Sequence, residues 1–286
     1  MNAVTETAAP NADKRSLFSR VLVGIDGSEE GQEAARQAAA LVDGELTLLA
    51  SYDVSPAIVG GTGTNVPDYF DEDLQRKAAT DALLRAREEV ASASPTGKIV
   101  RGRPADTLIA EVEREQNTLL VVGSHGLGRL AGFVMGSTAT ELIHKAPCSV
   151  LIARRRNDGD GFPNKVVVGV DGSPESATAY LAARELSERL DVELWPVVAH
   201  GGKEVDRRLV DVIVGREREE LPDEPVWALV AAAAGADLLV VGSRGLHGLR
   251  ALGSVSERVA HQARSSVLIV RGPGERPTGE ARDAAD

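Results

Sequence analysis

The chain repeats itself, and that repetition constrains its fold more than any single motif does. "RVLVGIDGSEEGQEAARQAAAL" (Arg20 to Leu41) returns as "KVVVGVDGSPESATAYLAAREL" (Lys165 to Leu186). "VVGSHGLGRLAGFVMGST" (Val121 to Thr138) returns as "VVGSRGLHGLRALGSV" (Val240 to Val255), and "SVLIARR" from Ser149 returns as "SVLIVRG" from Ser266. Beginning, middle and end recur in one order, so one unit has been duplicated. The copies occupy residues 20–154 and 165–271, with a linker at 155–164. The polar stretches at 1–19 and 272–286 lack apolar periodicity and are expected to be disordered. A length of 286 residues also suits two domains.

Within a unit, short apolar runs alternate with helical patterns. Val21–Ile25 is continuously apolar, as a strand buried on both faces must be. Asp26-Gly27-Ser28 turns the chain, and Ser28 is placed to cap the next helix; Ser173, with Pro174 behind it, does so in the second copy. The pattern then predicts a helix over Glu33–Val42, a strand over Glu45–Ser51 and a long charged helix over Asp68–Val90. A polar strand at Lys98–Arg101 and a helix at Thr107–Arg114 follow. A strand at Leu119–Gly123, a helix at Thr138–Lys145 and a strand at Ser149–Ala153 complete the unit. The fold class is α/β: in each unit an open five-stranded parallel sheet, right-handed crossovers, and helices on both faces. Polarity assigns Lys98–Arg101 to an edge. The second unit is shortened between Ala199 and Val226, leaving room for one short helix and one very polar edge strand.

Composition removes several function classes. Lys plus Arg number 32 against 43 Asp plus Glu, a net charge of −11, which argues against a general nucleic-acid binder. A single cysteine, Cys148, rules out an internal disulfide framework, and no CxxC pair offers a zinc site. Apolar neighbours mark it as a buried structural thiol. No apolar run approaches the ~20 residues of a membrane helix, and the first residues lack a signal-peptide core, so a cytoplasmic location is expected. Aromatics make up 3%, leaving the core to Val, Leu, Ile and Ala.

The loop from Gly123 to Ser137 leaves the fourth strand at its carboxyl end, where open parallel sheets bind ligands. Gly123 and Gly126 let backbone approach a ligand closely. Gly136 and Ser137 precede a helix whose first amides lack internal partners, a site suited to phosphate. Asp26 ends the first strand on the same edge, where its carboxylate can accept hydrogen bonds from ribose hydroxyls or a base. Together these describe a nucleotide site; turn-making alone is the simpler use of such glycines. The chain has no GxxxxGK[ST] loop, and GIDGS stands where a dinucleotide fingerprint would need GxGxxG.

Other candidates carry less chemistry. Ser124 and His125 are adjacent, and neighbours in a turn rarely form a nucleophile–base pair; Arg244 replaces the histidine in the second copy. His144 and His261 are expected to meet helix-terminal carbonyls, and His200 and His247 lack spaced partners for a metal. Arg129 and Arg250 either lean on phosphates or are solvated. Trp195 and Trp227 are expected to pack within the shortened unit, and "REREEL" (Arg216–Leu221) to form a solvated edge. No triad or general base beyond Asp26 stands out.

The pattern Gly123-x2-Gly126-x9-Gly136-Ser137, with GIDGS ahead of it and "HKAPCSVLIAR" behind it, resembles the universal stress protein family, specifically its tandem two-domain members. The likeness covers both units. It implies strand order 3-2-1-4-5, ATP bound with Mg or Mn, and final strands Ser149–Ala153 and Ser266–Val270 that meet across a pseudo-twofold axis. It also implies a homodimer. By the same resemblance Gly24 and Ser51 line the adenine, and Asp26 meets the ribose and adenine. Val122 and Gly123 lie by the ribose, while Gly126, Gly136, Ser137 and Thr138 hold the phosphates. In the second unit the matching positions are Gly169, Asp171, Ala199, Val241, Gly242, Gly245, Gly253, Ser254 and Val255. Nine residues separate Gly126 from Gly136 but seven separate Gly245 from Gly253. Two extended residues span up to ~7 Å, more than one phosphate contact, so the second site is the less certain. The implied role is an ATP-dependent regulator in a stress response, with no nucleic-acid or membrane partner. A slow metal-dependent ATPase and a nucleotide-independent interaction module remain the alternatives.

Overall fold

The computed structural model describes residues 18–53, 72–114, 118–126, 135–155, 161–201, 205–243 and 255–272. The first unit runs β1 (Arg20–Ile25), α1 (Glu29–Leu41), β2 (Glu45–Tyr52), α2 (Glu72–Glu89), β3 (Thr96–Arg101), α3 (Pro104–Glu113), β4 (Thr118–Gly123), α4 (Ser137–Lys145) and β5 (Ser149–Ala153). The second runs β6 (Lys165–Gly169), α5 (Pro174–Leu190), β7 (Glu193–Ala199), α6 (Arg207–Val214), β8 (Glu219–Leu221), α7 (Pro225–Ala233), β9 (Leu238–Gly242), α8 (Val255–Gln262) and β10 (Ser266–Val270). Each unit has the order 3-2-1-4-5, and the two join into one 10-stranded sheet, β3-β2-β1-β4-β5-β10-β9-β6-β7-β8. Pairing is parallel within each unit and antiparallel only between β5 and β10, where Leu151 faces Leu268. The edge assignment of β3 holds, and the polar strand anticipated in the short unit is β8.

Alternation along the strands sorts the core into two layers. Val21, Val23 and Ile25 face α1 and α2, and the same cluster runs on to α5 and α6. Leu22, Leu120 and Val122 face α3 and α4 in a cluster that continues to α7 and α8. Each cluster draws on both units, so the repeats share their core. Burying one such side chain is worth about 1.5–3 kcal/mol, which makes the Leu151–Leu268 seam a stabilising contact as well as a hydrogen-bonded one. α1 lies close to the sheet because its inner face is Ala34, Ala35 and Ala38, all fully buried. Ser28 and Ser173 cap α1 and α5 through the backbone N–H groups of Gly31 and Ser176, as the sequence predicts.

Polar contacts lock the seam with the same symmetry. The Arg154 N–H donates to Ser266 Oγ at 3.0 Å, and the Arg271 N–H donates to Ser149 Oγ at 3.1 Å. Each arginine then reaches across to the last helix of the other unit. Arg271 Nη2 donates to Ile143 O in α4 at 2.6 Å, and Arg154 Nη2 donates to Ala260 O in α8. These are carbonyls that a helix end leaves unsatisfied. Burial lowers the Arg154 guanidinium to about 10, leaving it charged at neutral pH. Gln37 is fully buried: its Nε2 donates to Arg154 O at 2.9 Å and its Oε1 accepts from Ser266 Oγ at 2.8 Å. Its counterpart in α5 is Ala182, so this tie exists on one side only.

Several expectations need correcting here. Trp195 packs against the core, but Trp227 is 64% exposed on α7. His144 does not cap a carbonyl; its Nε2 lies 3.3 Å from Glu257 Oε1 across the seam. Cys148 is half-buried against the core, and desolvation pushes its thiol up to about 12, keeping it protonated and unreactive. Among the described residues no helix is long and apolar enough to cross a membrane.

Candidate functional site

The carboxyl ends of β1 and β4 adjoin at the centre of the first unit, because strand order reverses there. Asp26 follows β1. Its Oδ1 accepts from the Ser28 N–H at 2.9 Å and from Ser28 Oγ at 2.5 Å, and Ser28 Oγ in turn accepts from the Gly31 N–H at 3.0 Å. One carboxylate oxygen therefore orients the cap of α1. The other, Oδ2, faces the Gly126 backbone: a Cβ on Gly126 would come within 2.7 Å of it. Asp26 and Gly126, a hundred residues apart in the chain, thus meet on one edge, as the sequence reading requires.

The glycines of this edge divide into two kinds. A Cβ on Gly123 would lie 2.8 Å from the backbone carbonyl carbon of Glu30, and one on Gly24 would lie 2.9 Å from Leu108 Cδ1. Packing of α1 on the sheet demands glycine at 123, where the clash is with backbone, while at 24 the close atoms are side-chain methyls of Leu108 and Val122; both glycines therefore have a packing role. Gly136 is different. Its nearest neighbours to a Cβ are Ser124 O at 3.5 Å and His125 Cα at 3.6 Å, ordinary contacts, and its φ of −63° suits any residue. Among the described residues a single methyl would fit at 136 in ordinary contact with the Ser124–Gly126 backbone, so packing does not by itself demand glycine there.

Gly136 also shuts the base of the loop. Its N–H donates to Ser124 O at 2.8 Å, so that amide is used internally and is not a free phosphate donor as expected. Gly136 is the N-cap of α4 and supplies no side-chain bond; Thr140 N–H donates back to Gly136 O at 3.0 Å. The amides of Ser137, Thr138 and Ala139 precede the first intrahelical bond. Ser28, Ser173, Asp206 and Glu224 cap α1, α5, α6 and α7 with side chains; α3, whose N-cap Arg103 makes no such bond, has Asp106 in its first turn instead. The first turn of α4 carries no acidic residue. A partial positive charge thus stands beside the Asp26 edge with no carboxylate in its own first turn to neutralise it.

Ser124 and His125 do interact, contrary to expectation: Ser124 Oγ lies 2.9 Å from His125 Nδ1. His125 Nε2 is buried with no hydrogen-bond partner among the described residues. The serine is 3% exposed, so this pair orients an imidazole rather than presenting a nucleophile. Val122 closes the floor against Gly24, and Ser51 lies at the end of β2, paired with Val100.

The second unit repeats the Asp-Ser device: Asp171 Oδ1 accepts from Ser173 N–H at 3.0 Å and from Ser173 Oγ at 2.6 Å. Gly242 faces the Glu175 backbone as Gly123 faces Glu30, and Gly169 faces Leu229 as Gly24 faces Leu108. Ala199 ends β7 and is buried where its counterpart Ser51 is half-buried; Val241, next to last in β9, is buried like Val122. Gly245, Gly253, Ser254, Arg129, Arg250 and His247 lie outside the described residues. What is visible of α8 departs from α4. Val255 opens the helix, Ser256 Oγ donates to Gly242 O at 2.5 Å where the first unit has Ala139, and Glu257 places a carboxylate in the first turn.

Sequence reading missed a pair of ties at this edge. Arg103, the N-cap of α3, bonds Glu141 of α4 at 3.2 Å, while Glu224, the N-cap of α7, bonds Arg258 of α8 at 3.0 Å. The positions correspond and the charges are exchanged. Aligning the two copies residue by residue is the signal that reveals it. No group of three His, Cys, Asp or Glu side chains among the described residues is placed to hold a metal ion.

Comparison with known proteins agrees with this architecture. The model of the universal stress protein family matches residues 17–154 and 198–271. A universal stress protein of Mycobacterium tuberculosis is 31% identical over 88% of this chain and 96% of its own length. One from Mycolicibacterium smegmatis is 30% identical with the same coverage. The crystal structure of a universal stress protein from Archaeoglobus fulgidus superimposes with a TM-score of 0.66 at 19% identity, covering 91% of this chain and all of the other. Duplicated units, strand order, a joined sheet and full-length relatives converge: the chain belongs to the universal stress protein family.

Proposed function

We propose that the first unit binds ATP and that occupancy of this site makes the protein a nucleotide-dependent regulator. The observation that carries this reading is the uncapped start of α4, opened by a glycine that packing does not require and set beside Asp26 at the strand-order reversal. The amides of Ser137, Thr138 and Ala139 with the Ser137 and Thr138 hydroxyls would take the phosphates. Asp26 Oδ2 would take the ribose hydroxyls, and the backbone of Gly24 and Ser51 would edge the base. Mg or Mn would arrive with the phosphates, since the described residues supply no cluster for it. In the second unit the Glu257 carboxylate and the shorter loop disfavour an anion, so we assign it no nucleotide and expect one ATP per chain.

Isothermal titration of nucleotide-stripped protein with Mg-ATP tests this. Ser137→Asp places a carboxylate beside the first amides of α4, where a helix start tolerates it, and Asp26→Asn keeps the acceptor that Ser28 needs while removing the charge. Both should weaken ATP binding at least about tenfold, a change of 1.4 kcal/mol, with melting temperature held. A stoichiometry of two would restore the second site, and no heat confirmed by a second binding assay would leave an interaction module.

A further inference from the structure

The amino ends of the strands, opposite the glycine loop, differ between the units. In the first unit they form a cleft of about 490 Å³ whose walls include Leu22, Thr47, Thr96 and Val112, with Arg20 and Glu45 at its mouth. That is within the range of small-molecule sites, about 300–1,000 Å³. β1 separates it from Asp26 by about 20 Å at ~3.3 Å per residue, so it is not part of the nucleotide site.

The second unit shows what fits there. Strand register equates Thr47, opposite Leu22, with Trp195, opposite Val167. Trp195 packs on the same core layer that Leu22 and Val112 line in the first unit. Lys165 Nζ sits 4.3 Å from the centroid of its ring and pairs with Glu193 at 3.0 Å. Arg20, the counterpart of Lys165, pairs with Glu45 in the same way at 3.0 Å. The cation, its carboxylate and the apolar floor are therefore duplicated, while the indole is present only in the second unit. Thr47 and Thr96 instead bring two hydroxyls together, 2.9 Å apart, where the ring would be.

We propose that the cleft of the first unit binds an electron-rich fused-ring aromatic molecule of indole size. The ring lies under the Arg20 guanidinium as Trp195 lies under Lys165, held by cation–π attraction and apolar contact with Leu22 and Val112. The Thr47 and Thr96 hydroxyls bond a ring heteroatom. Trp195 is thus the built-in occupant of the second unit's equivalent site, and the first unit keeps that site for a free ligand.

Indole itself is the probe, used with the full chain in ligand-observed saturation-transfer NMR and isothermal titration. The wild type should bind one indole. Thr47→Trp should fill the cleft, weaken indole binding at least about tenfold, leave Mg-ATP binding unchanged and melt no lower than the wild type. Trp195→Ala should take up a second indole. If that variant does not fold, the wild type and Thr47→Trp decide alone. No transfer to the wild type at the solubility limit of indole overturns the proposal. So does undiminished binding by Thr47→Trp, or a Thr47→Trp chain that melts lower, which would show there is no room for a ring. Because the probe is not a nucleotide and the cleft is remote from α4, these outcomes are independent of the ATP assignment.

Discussion

The two units share a frame and differ at their margins. Where a contact holds helix to sheet, the copies agree to the atom type: Gly123 against Glu30 matches Gly242 against Glu175, and the Asp26–Ser28 cap matches Asp171–Ser173. Where a side chain faces solvent, ligand or seam, they diverge. Ala139 becomes Ser256, Thr140 becomes Glu257, Thr47 becomes Trp195, and Gln37 becomes Ala182. Packing and capping of one fold constrain the first group in both copies. The second group was free to change, and there the copies differ.

The strongest way to break this comparison is to alter a duplicated packing glycine. Gly123→Ala and Gly242→Ala should each destabilise by about 3 kcal/mol or more, since the new methyl meets backbone that side-chain motion cannot clear. Gly136→Ala should stay within about 0.5 kcal/mol of the wild type. Urea unfolding measures all three. A mild Gly242→Ala beside a severe Gly123→Ala would mean that α5 is less firmly seated than α1.

A smaller effect belongs to His261 at the seam. Desolvation first, then Arg154 and His144, hold the His261 imidazole below its ordinary value, outweighing Glu257. A histidine lowered in the folded state binds its proton more readily when unfolded. Its stabilising effect is therefore present above about pH 6.5 and is lost as pH falls below that value toward the depressed folded pKa. His261→Gln should flatten the decline in melting temperature between pH 7 and 5. An unchanged slope would refute the burial of that imidazole.

The least costly test uses the exchanged ion pairs. Both are partly solvent-exposed and worth about 0–1 kcal/mol. Arg103→Glu or Glu141→Arg alone sets like charges together and should lower stability by that order, and the double variant should recover it by borrowing the second unit's polarity. A double-mutant cycle with no coupling would show that solvent screens the pair entirely.

Most of the frame was legible because buried parallel strands leave continuous apolar runs, and two copies of each run remove ambiguity. The edge position of β3 followed from its Lys98 and Arg101, and the β8 edge from a stretch too polar to be enclosed. The Asp26 edge and the α4 start were legible for a similar reason: turn chemistry is local. What escaped depends on contacts distant in sequence. Nothing around Arg154 or Arg271 announces that each ends on the other unit's helix, and nothing around Arg103 names Glu141. Trp227 was misplaced because its type favours burial while its helix position, shared with Asp106, faces out. The packing role of Gly123 was missed because a glycine that a ligand needs and one that a neighbouring helix needs look alike until the neighbour is seen.

The antiparallel β5–β10 pairing has a consequence for how this molecule can be addressed. Every strand of one half runs counter to every strand of the other, so the head of one unit shares a rim with the foot of its twin. The start of α4 therefore lies on the rim where Trp195 and Lys165 lie, and the cleft beneath Arg20 lies on the rim of the α8 start. A molecule seated on a single rim meets one helix start and one strand foot, never both helix starts.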